Sequence, residues 1–158
     1  MTDLLEQYYL VQANIGEWDM SKFSLEKFQE FANLGGHIMQ HADPGNGFIW
    51  AAGTGFYGDE NVTRVFNNPA IILNLSIWRD LDGLKSFVYS SNHLLALKSA
   101  KKWFKQLDER VYVLWWIKAG DIPTIELAKS KLDLINSIGP SPLAFDFTEP
   151  FDISGRHY

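Results

Sequence analysis

AIILNLSIW, residues 70–78, alternates along its length. Ile71, Leu73, Leu75 and Ile77 fall on one side of an extended chain, and Ile72, Asn74, Ser76 and Trp78 on the other. The first side is wholly apolar. The second carries Asn and Ser and ends in tryptophan, so it is neither plainly core nor plainly solvent. This is the clearest strand in the sequence, and its half-polar side fits the lining of a cavity or a subunit interface. Upstream, NNP at residues 67–69 breaks the chain. Residues 61–66 before it read as a short strand, and GFIWAAG at 47–53 as another. DPGNG at 43–47 is a turn. Before the turn, Leu25, Phe28, Phe31, Ala32, Gly35, Ile38 and Met39 recur at steps of three and four, an amphipathic helix with Ser24 at its start. Residues 8–15 are rich in β-formers and supply a first strand.

Downstream, Asp80 caps a helix through Leu84 and Phe87. Ser90 or Ser91 begins a second segment reaching Phe104. VYVLWWIK ends the strands, AGDIP stops it, and Thr124 caps a last helix carrying Ile125, Leu127, Ala128, Leu132 and Ile135. Gly139-Pro140 ends that helix. Strands and helices are interleaved, with adjacent strands between the first two helices. The expected fold is α+β: a ferredoxin-like split βαβ antiparallel sheet with helices on one face. A sheet face left bare invites a second copy, so a homodimer is expected. Residues 1–158 are expected to form one domain, with a mobile tail at 152–158.

Composition removes several classes of function. The net charge is −5, against a general nucleic-acid footprint. Lys98, Lys101, Lys102 and Lys105 read as a solvated helix face. The absence of cysteine removes disulfides, thiol catalysis, iron–sulfur ligation and Cys-type zinc sites. It also fits the cytoplasm. The first ten residues lack the basic region of a signal peptide. No apolar run approaches the roughly 20 residues that span a bilayer. GTGFYGDEN lacks the spacing of a phosphate loop. His37 and His41 share a helix face, but HIMQH lacks the Glu of a metalloprotease motif, and no metal site is expected. Ser90 and Ser91 sit near His93 without a nucleophile elbow and read as caps. Asp80 and Asp82 read as a cap and a first-turn charge.

His93 is the residue left over. Leu97, Ala100 and Phe104 continue its helix face, which places it on the buried side. The residue types leave two readings open: a neutral histidine bonded to a carbonyl, or a ligand or acid/base at a pocket.

The chain also resembles a known group. GFIW after a turn, NLSIW, FVY before His93, WF at Trp103 and Phe104, LWWIKAGDIPT and GPSPLAFDF are similar to a family of bacterial proteins of unknown function, itself similar to spheroidene monooxygenase, in the dimeric α/β-barrel superfamily. The resemblance implies a dimeric α/β barrel and a small monooxygenase-like enzyme acting on an apolar small molecule, with haem as candidate cofactor. It implies His93 as the catalytic residue, a cofactor site of His93, Tyr89 and Trp103, and substrate-pocket walls from Trp50, Asn74, Trp78 and Trp116. One departure counts against haem: LKSAKKWF carries lysines where the family has arginines, and lysine cannot grip a carboxylate with a planar fork. The alternative is a non-catalytic dimeric domain that binds a hydrophobic small molecule.

Overall fold

The computed structural model describes residues 7–40, 42, 45, 47–54, 57–90 and 100–158. Its sheet has four strands: β1 (Tyr8–Glu17), β2 (Phe48–Ala51), β3 (Ile71–Trp78) and β4 (Tyr112–Lys118). They lie in the order β2-β3-β1-β4, and every pair is antiparallel. Helix α1 (Leu25–Met39) joins β1 to β2, and α3 (Leu81–Val88) follows β3. This is the ferredoxin-like arrangement. The cap residues read from the sequence serve as caps. Ser24 accepts from Lys27 N at 3.2 Å, Asp80 from Gly83 N at 2.8 Å, and Thr124 from Leu127 N at 3.0 Å at the start of α4 (Ile125–Ile138).

Residues 60–66 are not a strand. They form helix α2 (Glu60–Phe66), because Asp59 accepts from the backbone N–H groups of Asn61 and Val62, both at 3.0 Å. Val62 and Phe66, four apart, then turn the same way into the core.

Helices cover both faces of the sheet. Register puts Val11, Ala13, Leu73, Leu75, Ile77, Val113 and Trp115 on one face. That face packs against Val62 of α2 and against Ala128, Leu132 and Ile135 of α4. The expectation of helices on one face holds for α1 and α3 alone. The face left open for a second subunit is filled by this chain's own α2 and α4, because α4 carries an apolar stripe at steps of four and three. A dimer built on that face loses its physical motive.

The other face carries Leu10, Trp78 and Leu114, packed against Ile38 of α1 and Leu81, Leu84 and Phe87 of α3. A second cluster at the far end of the same face joins Trp18, Ile72 and Trp103 to Phe28 and Phe31 of α1. Phe28 and Phe31 therefore share no core with Leu73 or Val113. The tail closes the β4 edge: Leu114 and Phe145 exchange backbone hydrogen bonds at 2.8 and 2.9 Å. Residues 152–158 fold back on themselves, with Asp152 accepting from Ser154 and Arg156 and the His157 ring 4.3 Å from that of Phe151. These contacts tie the tail to Phe151 and to itself.

Candidate functional site

Between the two apolar clusters of the α1/α3 face lies a polar row. Register pairs Gln12 with Ser76 and Leu114, and Asn14 with Asn74 and Tyr112, so all of these side chains share that face. The polar groups form one hydrogen-bonded chain. Asn74 Nδ2 donates to Asn14 Oδ1 at 3.2 Å, Asn14 Nδ2 to Gln12 Oε1 at 2.8 Å, and Gln12 Nε2 to Ser76 Oγ at 3.1 Å. Trp78 Nε1 closes the chain by donating to the same Ser76 oxygen at 2.9 Å. Ser76 and Trp78 are buried, Gln12 and Asn14 are half-buried, and Asn74 is exposed although its neighbours along β3 are not.

A strand in the middle of a sheet that turns amides and a hydroxyl toward its helices forgoes apolar burial there. The row recovers part of that cost by bonding to itself. At one end stand Trp78, Leu10 and Trp116, the last donating from Nε1 to Phe151 O at 2.9 Å. At the other end Gly16 lets the Phe104 ring approach, since a Cβ there would lie 3.0 Å from Phe104 Cδ1. Beyond it Trp18 packs edge-on against Phe31, whose ring also meets Trp103 at 5.4 Å. Beside Asn14, the half-buried Tyr112 hydroxyl accepts from Phe147 N at 3.1 Å. Burial pushes that phenol above the ordinary tyrosine range, so it stays protonated.

The structure brings Asn74, Trp78 and Trp116 to this face, with Trp103 in the cluster at its end. Tyr89 is exposed at the end of α3, its ring 6.2 Å from Phe147. Trp50 lies apart. It pairs with Ile77 while Phe48 pairs with Trp78, because a bulge between Phe48 and Trp50 puts the two on opposite faces. Trp50 therefore does not line a site with the others. His93, Lys98 and His41 fall outside the described residues; Lys101 and Lys102 are exposed.

Gln12 and Asn14 were missed by the sequence reading. Their signal was the alternation Leu10, Gln12, Asn14, Gly16 in YLVQANIG, which gains meaning only when β1 is set beside β3.

The resemblance raises haem as a cofactor. The described donors on this face do not fit it. The row offers amides, a hydroxyl and an indole, without an imidazole, a thiolate or a cation for propionates; the Tyr112 phenol beside it accepts from Phe147 N and is held protonated by burial, and the suggested ligand His93 is not among the described residues. The chemistry below does not pass through haem. Two surface hollows, about 610 Å³ beside Asp108, Glu109, Arg110 and Asn136 and about 220 Å³ around Arg79, Asp80 and Gly83, lie away from the row.

The sequence pattern of the family described as "Domain of unknown function (DUF3291)" matches residues 9–158. The chain is a DUF3291 protein. No curated protein matches it. Among solved structures, this DUF3291 chain is similar to a conserved protein from Methanosarcina mazei Go1 at 17% identity and a TM-score of 0.49, over 70% of this chain and 92% of that one. It is also similar to a provisionally named antibiotic biosynthesis monooxygenase from Nitrosomonas europaea at 7% identity and a TM-score of 0.46, over 77% and 96%. Scores at this level transfer no function. No helix among the described residues is long and apolar enough to cross a membrane.

Proposed function

We propose that this DUF3291 chain binds an apolar small molecule carrying one polar group against the α1/α3 face of its sheet, and acts on it as a monooxygenase-like enzyme. The observation that carries the binding is the row Asn74–Asn14–Gln12–Ser76–Trp78, polar and neutral between two aromatic clusters. Ligand sites are mostly apolar with a few placed polar groups, and this face has that composition. The row holds a polar group in register, and the flanking rings take the apolar remainder.

The acid or base of the reaction is assigned to His93, on the resemblance alone, because the row itself carries no ionisable side chain. The proposed unit is the whole chain, in the cytoplasm. A homodimer belongs to this reading only through a surface other than the one α2 and α4 occupy.

The second reading, a non-catalytic binder, is favoured by that same lack of an ionisable group in the row. Titration with 1-naphthol, followed by tryptophan fluorescence, tests binding. Saturable quenching that weakens at least tenfold in Asn14→Leu supports the site; equal quenching in both proteins removes it. Oxygen uptake with bound ligand then separates enzyme from binder, and His93→Gln is expected to abolish uptake without changing the fold.

A further inference from the structure

The row is open to solvent at one end. Ser76 and Trp78 are buried, Gln12 and Asn14 are half-buried, and Asn74 is exposed. Register sets Asn74, Asn14 and Tyr112 abreast on β3, β1 and β4, so Tyr112 stands at that open end. Its hydroxyl has a built support. Phe147 N donates to it at 3.1 Å, and the Phe147 ring lies 5.6 Å from the Tyr112 ring. Asp146 fixes Phe147 in turn, because its Oδ1 accepts from Thr148 N, Thr148 Oγ1 and Glu149 N at 3.0, 2.6 and 3.2 Å. Asp146 is 5% exposed, and Arg110 Nε meets its other oxygen at 3.3 Å. Both backbone groups of Arg110 are tied to the Asn136 amide, at 2.8 and 3.0 Å. This chain of contacts, none of it within the row, orients a single phenol. The bond from Phe147 uses the phenol oxygen and leaves the hydrogen, which has no acceptor among the described residues. Asn14 Oδ1, on the strand beside it, accepts from Asn74 instead.

We infer that Tyr112 donates its hydroxyl hydrogen to the polar group of the ligand, and so selects ligands that present an oxygen acceptor there, a ketone or quinone carbonyl being the simplest case. The inference rests on the proposed binding site and names one specificity-determining residue and the group it reads. The amides of the row each carry both hydrogens and an oxygen, so they serve donors and acceptors alike. The phenol is more one-sided, since its oxygen already takes the Phe147 N–H and its hydrogen is left to give. Burial, foremost, raises this phenol above the ordinary tyrosine range, with Asp146 and Tyr89 acting in the same direction and the Phe147 bond and Arg110 opposing. It therefore keeps its hydrogen at neutral pH. The support behind it matters because a donor held in place loses less freedom on binding than one that must be ordered. Phe147, whose ring also lies 6.2 Å from that of Tyr89, supplies an apolar wall beside the same hydroxyl.

The test uses 2-acetylnaphthalene, labelled with ¹³C at its carbonyl, and 2-ethylnaphthalene, which has the same rings and no oxygen. The carbonyl resonance is expected to move downfield on binding to the wild-type protein, the signature of a hydrogen bond received. Tyr112→Phe is expected to abolish that shift and to weaken the ketone about tenfold, with 2-ethylnaphthalene bound as before. Where Tyr112→Phe fails to fold by circular dichroism, replacement of Tyr112 by 3-fluorotyrosine carries the test. Ring fluorine makes the hydroxyl a stronger donor and a weaker acceptor, so below the pH at which it ionises the ketone should bind more tightly. A hydroxyl that served only to receive Phe147 N would give no such gain. A carbonyl shift that persists in Tyr112→Phe, or equal losses for the two probes, overturns the inference and leaves the binding reading standing. Binding of neither probe to the wild-type protein sinks both.

Discussion

Replacing Ser76 by Ala removes one oxygen and disturbs two donors. Trp78 Nε1, 2.9 Å from that oxygen, belongs to a ring 1% exposed. Without Ser76 it is a buried N–H with nothing to bond. Leaving such a donor unsatisfied costs about 1–3 kcal/mol. Gln12 is half-buried and can turn its amide to water, so its share is smaller. For a chain of this size each kcal/mol moves the unfolding midpoint by about 2–4 °C, so Ser76→Ala is expected to melt roughly 2–12 °C lower. The mechanism is checked by a double-mutant cycle with Trp78→Phe. With the indole N–H already gone, removing the hydroxyl should cost little, and the coupling should fall at about 0.5–3 kcal/mol. Thermal and urea unfolding measure all four corners. Strictly additive losses would show that the hydroxyl does not hold the indole, and that the row is not a connected network.

Leu132→Ala empties the middle of the α4 stripe on the opposite face, where Leu132 is 3% exposed, and is expected to cost about 2–5 kcal/mol in urea unfolding at any protein concentration. A cost that grows on dilution would instead place a second copy on that face. Asp152 accepts from Ser154 and Arg156, and the hydrogen bond from the Ser154 side chain, foremost, holds its carboxyl below the ordinary value of 3.8. A depressed carboxyl stabilises the folded turn above 3.8, and that contribution is lost as pH falls through the lower folded value. The tail resonances of His157 and Tyr158 should therefore shift on acidification below that range, and in Asp152→Asn at neutral pH; a tail unmoved by both would remove Asp152 as its anchor.

What was legible in the sequence was local. Alternation in AIILNLSIW marked β3 and both of its sides, and Ser24, Asp80 and Thr124 announced three helix starts by side-chain chemistry that acts within three residues. What was not legible depended on partners far along the chain. Phe28 and Phe31 belong to a helix correctly placed in sequence, but their face is set by Trp18 and Trp103. Trp50 changed sides through a bulge that no residue between Gly47 and Gly53 announces. Seven residues of α2 are too short for a helical period to outweigh a strand-like composition. Half of the polar row was visible in β3, and the other half, Gln12 and Asn14, becomes a row only by the register of β1 against it.

The central claim is that the row receives a ligand. The direct measurement is the ¹H–¹⁵N spectrum of the side-chain amides and indoles as 1-naphthol is added. The account predicts that the amide signals of Gln12, Asn14 and Asn74 move together and saturate with one affinity, while the Nε1–H of Trp115, buried on the opposite face, stays in place. Amide signals that do not move while ligand binds elsewhere, or a Trp115 signal that moves as far as theirs, would contradict it.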